Sequence, residues 1–507
     1  MGQFLIGRAA SGRRRAQVAS VIAVTIVTAA SFSARPAAAQ QSASPADGLR
    51  YRLIDLGTLG GPNSAETQEF PFINNTGMVV GFADTATPNS GNPEGFVFHA
   101  FRWRGGPLRD LGTLPGGVNS FAIWSNNAGT VAGLSENGRI DPLLGIPEGR
   151  GVLWKKSGQI VNLGTFGGHE SLAGYINDRG QIVGVAANRK RDPFSLFDWG
   201  TQTRAFLWQK GIMRDLGTLG GPDANAAVVN NHGQVAGASY TNSAPNADTG
   251  IPTLHPFLWT HGMMADLGTL GGTMGFATAL NNRGQVAGQS NMAGNQTAHP
   301  FLWDRGKLKD LGTLGGTFGT ATWMNNAGEV VGGATTRADR AFHAFFWRGG
   351  TMTDLGTVNG DTCSIAHFMN SRGLVVGTSG GRGCDQGQSE KHGFISERGG
   401  RMIDLNRFVP KRSHLTVTDG ETINSRGEIA ASGMLPNGDF HAVVLIPCTG
   451  GQGCQDGSRH KGTQSSTTAT GSPAAAGTPL TWTPHEMAAK LIPRFRLPLA
   501  GGIGRSR

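Results

Sequence analysis

The motif Asp-Leu-Gly-Thr-Leu-Gly-Gly constrains this chain more than any other feature, because it recurs along most of its length. It first appears at Asp55–Gly61, and recognisable copies follow at intervals of 44 to 55 residues. The copies open at Asp55, Asp110, Asn162, Asp215, Asp266, Asp310, Asp354 and Asp404. A unit this short cannot bury its apolar face alone, so neighbouring copies must pack against one another.

Two other elements follow every copy in fixed order. The first is an Asn-x-x-Gly turn that leads into an apolar Val-Val-Gly-like segment, and its Asn residues are Asn74, Asn126, Asn177, Asn230, Asn281, Asn325, Asn370 and Asn424. The second is a segment like His-Ala-Phe-Leu-Trp, at His99–Trp103, Val152–Trp154, Arg204–Trp208, His255–Trp259, His299–Trp303, His343–Trp347, His392–Ser396 and His441–Val444. Most of the variation in repeat length falls between these two elements.

Each repeat has the pattern of two β-hairpins. Short runs rich in Val, Phe, Trp and Thr are bounded by Asn and Gly turns, which predicts four strands per repeat. Periods of about 40 to 50 residues with four strands each are typical of propeller blades. We therefore predict an all-β fold, a β-propeller of eight four-stranded blades over residues 51–446, with seven blades as the alternative.

The linked motifs also resemble a known family. The recurring His-Ala-Phe, Asp-Leu-Gly-Thr-Leu-Gly-Gly and Ile-Asn-Asn-x-Gly-Gln-Val-Val-Gly pattern resembles the bacterial extracellular HAF repeat family from Leu53 to about Ile446. This resemblance implies an extracellular location and carries no established activity. The order of strands is similar to that of WD repeats. By that analogy Leu53–Leu59 completes the last blade beside His441–Ile446, so the N- and C-terminal strands close the ring.

Residues 1–39 have the pattern of an export signal. Arg13, Arg14 and Arg15 precede an apolar run from Val18 to Phe32, and a run of alanines before Gln40 offers a cleavage site. General secretion is favoured over the twin-arginine route, because the usual residues around the arginine pair are missing. No other apolar stretch reaches the ~18 residues of a membrane span. We expect an exported monomer in the periplasm, on the cell surface or outside the cell.

The distribution of charge argues against a nucleic-acid partner. The net charge of +10 comes from the two ends, since residues 1–39 and 455–507 contribute +5 each. Residues 40–454 hold 32 basic and 32 acidic side chains, and a neutral ring lacks the electrostatic footprint of a phosphate binder. Residues 447–480 are a cysteine loop and a Ser/Thr/Ala/Gly/Pro linker, and residues 481–507 are a short basic tail; we predict both the linker and the tail to be disordered.

Four cysteines in an exported chain predict two disulfides. Proximity in sequence favours Cys363 with Cys384 and Cys448 with Cys454 over the two other pairings. Cys448 and Cys454 have no His or further Cys at the spacing of zinc ligands, and we expect no metal and no cofactor.

Residues that recur once per repeat are interpreted as structural. The repeated Asp of each copy is expected to hold a turn or a neighbouring backbone N–H, as the Asp of WD repeats does. The repeated His residues (99, 255, 299, 343, 392 and 441) belong to different blades and are too far apart to share an ion. The repeated Trp residues (103, 154, 208, 259, 303 and 347) are expected to pack between blades.

The departures from the repeat are the candidate binding residues. Long inserts occur between the second and third strands of the first four blades, at 82–98, 134–150, 185–203 and 238–254. Insertions on one face of a repeat array often mark the binding face. Their charged residues and aromatics, interpreted as exposed, form the candidate set Glu136, Arg139, Asp141, Glu148, Arg189, Lys190, Arg191, Phe194, Phe197 and Trp199.

The sequence favours a binding protein over an enzyme. It contains no Gly-x-Ser-x-Gly elbow, no His-Glu-x-x-His and no Cys/His pair placed for nucleophilic chemistry, so no catalytic residue is assigned. We expect a scaffold that binds a protein or carbohydrate through one propeller face. The alternative is an extracellular hydrolase or lyase that acts on polysaccharide, because fold alone does not exclude catalysis.

Overall fold

The computed structural model describes residues 50–65, 71–92, 95–381, 391–410 and 413–448. The chain separates into two compact units, Met1–Ser44 and Pro45–Arg507, and every described residue belongs to the second. The predicted export signal, the linker and the basic tail lie outside the described residues. The described part is all-β, with two short 3-10 helices at Arg337–Asp339 and Leu405–Phe408, and it contains no helix with the length and apolar character of a membrane span.

Thirty-two strands pair into eight antiparallel groups of four, which we call units 1 to 8 in chain order. The first strand of the chain is β1 (Tyr51–Asp55). Unit 1 is β2 (Phe72–Ile73), β3 (Val79–Pro88), β4 (Phe96–Trp103) and β5 (Arg109–Asp110); unit 2 is β6 (Ser120–Ser125), β7 (Val131–Ile140), β8 (Pro147–Trp154) and β9 (Ile160–Asn162). Unit 3 is β10 (Gly167–Ile176), β11 (Ile182–Arg191), β12 (Thr201–Gln209) and β13 (Ile212–Asp215); unit 4 is β14 (Ala224–Val229), β15 (Val235–Pro245), β16 (Pro252–Thr260) and β17 (Met263–Asp266).

The remaining units follow the same plan. Unit 5 is β18 (Gly271–Leu280), β19 (Val286–Met292), β20 (Ala298–Asp304) and β21 (Lys307–Asp310); unit 6 is β22 (Gly315–Met324), β23 (Val330–Thr336), β24 (Phe342–Arg348) and β25 (Thr351–Gly356). Unit 7 is β26 (Cys363–Met369), β27 (Leu374–Gly380), β28 (Lys391–Glu397) and β29 (Ile403–Asp404). Unit 8 is β30 (Thr416–Ile423), β31 (Ile429–Met434), β32 (Phe440–Pro447) and β1 from the start of the chain.

The turns explain why each unit folds locally. Within every unit the Asn-x-x-Gly sequence joins the first strand to the second, and in unit 4 the backbone N–H of Gly233 donates to the carbonyl of Asn230 at 3.0 Å. Gly233 has a φ of 81°, in the left-handed region that glycine adopts without a steric penalty. In units 1 to 7 a tight turn then joins the third strand to the fourth, so both turns lie at one end of the unit. The connection from second to third strand lies at the other end.

Unit 8 contains strands from both ends of the described chain. Strand β1 pairs antiparallel with β32, and the register runs from Tyr51 opposite Pro447 to Asp55 opposite Val443. Unit 8 also contacts unit 1 directly, because the backbone N–H of Ile73 donates to the hydroxyl of Thr422 at 3.0 Å.

Neighbouring units share their apolar cores. One cluster combines Phe72 and Val80 of unit 1 with Val131 and Trp154 of unit 2, and another combines the two sides of the unit 8 to unit 1 junction. Trp154 is fully buried at such a junction. Burying each large apolar side chain stabilises the fold by about 1.5–3 kcal/mol, so the contacts between units are a major part of the stability. Units 4 to 7 are further joined by single parallel bridges between the third strand of one and the first strand of the next.

Candidate functional site

A cavity of about 290 Å³ lies where the eight first strands end in their Asn turns. Every unit contributes the residues that immediately precede and follow its repeated Asn. The cavity therefore lies at the turn end of the units, opposite the long connections between second and third strands. We call this space the turn cavity.

The repeated Asn side chains form a closed circle of hydrogen bonds around the turn cavity. The Nδ2 of Asn74 donates to the carbonyl oxygen of Asn126 at 2.9 Å, and the same bond links each unit to the next until Asn424 donates to the carbonyl of Asn74 at 3.0 Å. The Oδ1 of Asn74 accepts from the backbone N–H groups of Thr76 and Met78 within its own turn. These amides are buried and fully used, so their role is structural.

A second, incomplete circle is formed by the residues that follow the repeated Asn, and among the described residues it runs from Ser425 of unit 8 to Asn326 of unit 6. The backbone N–H of Asn75 donates to Oδ1 of Asn127 at 3.1 Å, and equivalent bonds reach Asp178, Asn231, Asn282 and Asn326 in turn. The Nδ2 groups of Asn75, Asn231, Asn282 and Asn326 have no partner among the described residues. Because these side chains are exposed or half-buried and line the turn cavity, their N–H groups are free to meet a ligand.

Aromatic side chains form the floor of the turn cavity. They lie two residues before the repeated Asn, and a β-bulge in the first strand precedes this position in units 2 to 8. Trp124 stacks on Phe72 with ring centroids 3.7 Å apart, and Trp323 stacks on Phe368 at 4.1 Å. Tyr175 lies against Trp124 at 4.3 Å. Units 4, 5 and 8 carry Val228, Ala279 and Thr422 at this position, and these three residues do not line the cavity, so the aromatic floor covers part of the circle.

Polar atoms of these aromatics are uncommitted. The indole N–H groups of Trp124 and Trp323 and the hydroxyl of Tyr175 make no hydrogen bond within the described residues, although all three side chains are half-buried against the cavity. Burial raises the pKa of Tyr175, and the neighbouring Asp178 carboxylate raises it further, so the phenol stays protonated. Asp178 supplies the single carboxylate of the cavity lining.

The repeated Asp residues hold turns, as expected for residues that recur in every unit. In unit 5 the Oδ1 of Asp310 accepts from the backbone N–H of Gly312 at 2.7 Å, and the His299 ring lies 2.9 Å from the same carboxylate. Equivalent His–Asp pairs occur at His99–Asp110, His255–Asp266, His343–Asp354 and His441–Asp55. In unit 7 the partner changes, because His392 contacts Asp361 while Asp404 caps the following 3-10 helix.

The long inserts are hairpin extensions rather than loops. The second strands of units 1 to 4 have 10 or 11 residues, whereas those of units 5 to 7 have 7. The additional residues lengthen the second and third strands and leave short connecting tips. Paired strands satisfy their own backbone groups, which is why these insertions fold instead of remaining irregular.

The acidic candidates of the inserts are buried and already bonded, which corrects their interpretation as surface contacts. Glu136 accepts from the backbone N–H groups of Val118 and Asn119, each at 3.1 Å. Asp141 accepts from the backbone N–H of Leu143 at 2.6 Å and stabilises its own turn. These carboxylates fasten strands to one another and are not available to a partner.

Glu148 is also buried, and it joins a network of its own. Its carboxylate contacts Arg150 and His169, both at 2.6 Å, and accepts from Asn137 at 2.8 Å. Burial raises the pKa of Glu148, but these hydrogen bonds and charges outweigh burial and lower it overall. The neighbouring Glu170 has a pKa well above its usual value because burial dominates there.

The aromatic candidates are not exposed, which is a second correction. Phe197 and Trp199 are 6% and 1% exposed, and they pack in an apolar cluster with Phe121 and Leu172. Phe194 is half-buried against Tyr240. The hydrophobic effect explains the difference, since the inserts bury their aromatic rings over the first strands rather than presenting them to water. Arg139, Arg189, Lys190 and Arg191 are exposed at the tips, as expected.

Neither described cysteine, Cys363 or Cys448, is a free thiol. Their predicted partners, Cys384 and Cys454, lie outside the described residues, so the pairing remains a prediction. No group of three or more His, Cys, Asp or Glu side chains suited to a metal occurs among the residues that the structure describes.

The sequence interpretation missed the aromatics of the turn cavity. They occupy a position that varies between repeats, being Phe, Trp, Tyr, Val, Ala, Trp, Phe and Thr in units 1 to 8. The signal was present, because a position two residues before an unchanging Asn that varies between large aromatic and small residues is not needed by the repeat itself.

No protein-family model matches this sequence, and no curated protein matches it. The fold is similar to the β-propeller domain of the Trilobed protease from Pyrococcus furiosus, at 8% identity and a TM-score of 0.39, over 68% of this chain and 99% of that chain. It is also similar to TolB from Acinetobacter baumannii, at 11% identity and a TM-score of 0.30, over 64% and 80% of the two chains. A sialidase from Trypanosoma rangeli is similar at 9% identity and a TM-score of 0.32, over 78% and 59%. With TM-scores this low, function must be inferred from the site itself.

Proposed function

We propose that this chain is an exported, non-catalytic binding protein built as a closed eight-bladed β-propeller. Each four-stranded unit corresponds to one blade, and β1 completes the eighth blade beside β32. The circle of Asn hydrogen bonds supports this count, because it passes once through every unit and returns to Asn74. The HAF-type motifs support export, since that resemblance implies an extracellular location.

The ligand is a carbohydrate, bound in the turn cavity. The observation that carries this proposal is the set of uncommitted donors on Trp124, Tyr175 and Trp323 and on the second circle of amides, all facing one space. A sugar presents hydroxyl groups that pair with amide, indole and phenol donors, and C–H faces that pack against aromatic rings. A neutral glycan also suits a lining in which Asp178 is the one carboxylate.

The size of the turn cavity limits what enters it. At about 290 Å³, it is at the lower end of the ~300–1,000 Å³ range of small-molecule sites. One sugar unit or the end of a chain fits such a volume. The remainder of a longer glycan would then lie across the exposed Asn turns.

The alternative of a polysaccharide hydrolase or lyase is less well supported at this site. Glycoside hydrolysis usually requires two carboxylates on opposite sides of the scissile bond. Asp178 is alone in the lining, and its two oxygens already accept from the backbone and side chain of Asn127, each at 2.9 Å. The turn cavity therefore favours binding over turnover.

The test is a screen of the full chain against an array of neutral and acidic glycans, followed by calorimetry on the best ligand. Substituting Tyr175→Phe removes one hydroxyl, and Trp323→Phe removes one indole N–H while keeping an aromatic ring. Each loss of a ligand hydrogen bond should weaken binding about tenfold. Trp208→Phe is the matched control, because this repeated Trp does not line the turn cavity.

Several outcomes would contradict the proposal. Unchanged affinity in both Tyr175→Phe and Trp323→Phe would remove the turn cavity as the site. Loss of binding in Arg189→Ser with Lys190→Ser would place the ligand at the insert tips instead. Shortened oligosaccharides released by the unmodified protein would favour the enzyme, and capture of proteins but no glycan would replace the ligand class.

A further inference from the structure

Two buried carboxylates lie at the tip of the insert of unit 3. Asp192 follows β11 and begins the tip of the insert, and Asp223 precedes β14 of the next unit. Asp192 is 5% exposed and Asp223 is 0% exposed. Burying one ionised carboxylate is costly, and burying two beside each other without positive charge is more so.

The insert closes over these two groups through backbone hydrogen bonds. Asp223 accepts from the N–H of Leu196 at 2.7 Å and from the N–H of Thr203 at 3.0 Å. The Oδ1 of Asp192 accepts from the N–H of Phe194 at 2.8 Å, while its Oδ2 is buried with no hydrogen-bond partner. The two carboxylates therefore accept from backbone N–H groups two residues apart, which places both at the same stretch of the tip, residues 194–196. Burial raises the pKa of Asp223 to about 7, and repulsion from the Asp192 carboxylate contributes.

The equivalent positions of other units show what is missing here. Two residues after the Gly-Gly pair, units 1 and 2 are preceded by Asn63 and Asn119, whose amides donate to the acids Asp84 and Glu136 at 3.1 and 2.9 Å. Before unit 3 the residue is Glu170, which faces the acids Asp141 and Glu148 but also the guanidinium of Arg150. Before unit 4 the residue is Asp223, which faces Asp192, and no Lys, Arg or His of the described residues forms an ion pair with either acid.

Two buried hydroxyl groups belong to residues at or next to the backbone N–H groups from which Asp223 accepts. Ser195 and Thr203 are 5% and 0% exposed. The hydroxyl of Ser195 is buried without a hydrogen-bond partner among the described residues, whereas the Thr203 hydroxyl acts on the Asp223 carboxyl and lowers its pKa. Thr203 lies beside the Asp223 carboxylate, and Ser195 directly precedes the N–H that Asp223 binds. The adjacent cation, Arg204, is directed instead to Asp215 at 2.9 Å. The orphaned Ser195 hydroxyl and Asp192 Oδ2 indicate an occupant.

We propose that Asp192 and Asp223 bind a calcium ion, with the hydroxyls of Ser195 and Thr203 as additional oxygen ligands. Every candidate ligand is a hard oxygen donor, which suits calcium and not zinc or copper. The site lies in an irregular tip, and calcium accepts irregular coordination where magnesium requires a near-ideal octahedron. A bound cation would offset the repulsion between the acids and fasten the insert of unit 3 to unit 4. Two acids 31 residues apart form no ligand motif, which is why no metal is predicted here from the sequence.

The test uses the full chain, stripped with EDTA and dialysed, in calorimetric titrations with calcium and with magnesium. Thermal melts with and without about millimolar calcium give a second readout. The unmodified protein should bind calcium with a higher melting temperature, and Asp192→Asn should bind at least about tenfold more weakly. Ser195→Ala is a milder variant should Asp192→Asn or Asp223→Asn fail to fold. Asp266→Asn is the matched control, since Asn162 occupies the same repeat position naturally.

Each result decides the proposal. Calcium binding that is weakened in Asp192→Asn and Ser195→Ala but kept in Asp266→Asn supports the site. Absence of both a binding heat and a shift in melting temperature for the unmodified protein overturns it. If Asp192→Asn were more stable than the parent in EDTA, and calcium had no effect on the parent, the two acids would share a proton instead. Magnesium binding tighter than calcium would overturn the choice of ion.

Discussion

The two ends of the repeat units differ in how much their sequences vary from one unit to the next. At the turn end, all eight units carry the same Asn and make the same hydrogen bond to the next unit. At the insert end, units 1 to 4 carry lengthened strands and no two tips have the same sequence. Variation in sequence at the insert end, beside a constant turn end, is the pattern from which ligand binding at the insert end is predicted.

The burial of side chains favours the turn end as the binding site. The insert aromatics Phe197 and Trp199 are buried by packing, and the insert acids Glu136 and Asp141 accept backbone hydrogen bonds. At the uniform end, the position two residues before the Asn varies freely and leaves polar atoms uncommitted. A position whose residue differs between the repeats of a repeat protein is therefore one that the repeat fold does not require. Only the side-chain contacts show whether the residue at such a position serves packing or binding.

The largest expected effect comes from removing β1. Deleting residues 51–60 removes the strand that pairs with β32 and exposes the edge of unit 8, along with the apolar contacts of Tyr51 and Leu56. We expect a loss of more than about 5 kcal/mol of stability, an exceptional value, and aggregation through the free edge. Thermal melts and size-exclusion chromatography measure both. A melting temperature equal to that of the parent would show that unit 8 does not depend on the start of the chain.

The second largest effect is expected from replacing one tryptophan at each end of the units and comparing the losses of stability. Trp199→Ala at the insert end empties a fully buried site and should cost about 3–5 kcal/mol. Trp323→Ala at the turn end removes a half-buried ring stacked on Phe368, and should cost about 1–2 kcal/mol. Denaturant unfolding of the two variants gives the difference. If Trp323→Ala were the more destabilising, the turn cavity would be a packed core rather than a site.

A smaller difference in stability is expected between substitutions in the first and the second circle of hydrogen bonds at the turn end. Asn230→Ala removes the donor to Asn281 and the acceptor for the backbone N–H groups of His232 and Gln234, leaving buried groups unpaired. This should cost about 2–3 kcal/mol. Asn231→Ala, one residue later and half-buried, loses one acceptor and should cost less than about 1 kcal/mol. Equal losses would mean that the circles share one role.

The fold was accessible from the sequence because its signals are local and repeated. Strand positions follow from apolar alternation, and the turns follow from Asn and Gly at fixed spacing. The pairing of Leu53 with Leu445 across the unit 8 junction could also be expected, since the motif at the start of the chain has no partner of its own. All-β structure is therefore decided by short-range patterns.

The site was not accessible in the same way. Whether Trp199 faces water or Leu172 depends on how the tip of one hairpin folds over the next unit, and no spacing rule encodes that contact. The meeting of Asp192 with Asp223 joins two units for the same reason. The turn cavity required knowing that eight distant positions face a single space, although its varying position was visible in the aligned repeats.

The smallest expected effect is the pH dependence of a repeated His–Asp pair. Burial lowers the pKa of His441, but the hydrogen bond and charge of Asp55, assisted by Asp439 and the carbonyl of Pro62, raise it overall. A histidine whose folded pKa is raised contributes stability that is fully present below its unfolded pKa, about 6.5. That contribution is lost as pH rises through the folded pKa.

His441→Gln should therefore be less stable than the parent in mildly acidic solution, by less than about 1 kcal/mol because Asp55 is partly exposed. The difference should shrink as pH rises above about 6.5 and level off beyond the folded pKa. Melts across pH for parent and variant measure it, and His232→Gln is the control, since that exposed side chain belongs to an Asn turn and has no acid partner within the described residues. Because the pair joins β32 to β1, a difference that instead grew with pH would mean that charge does not hold this junction and that the backbone pairing of the two strands suffices.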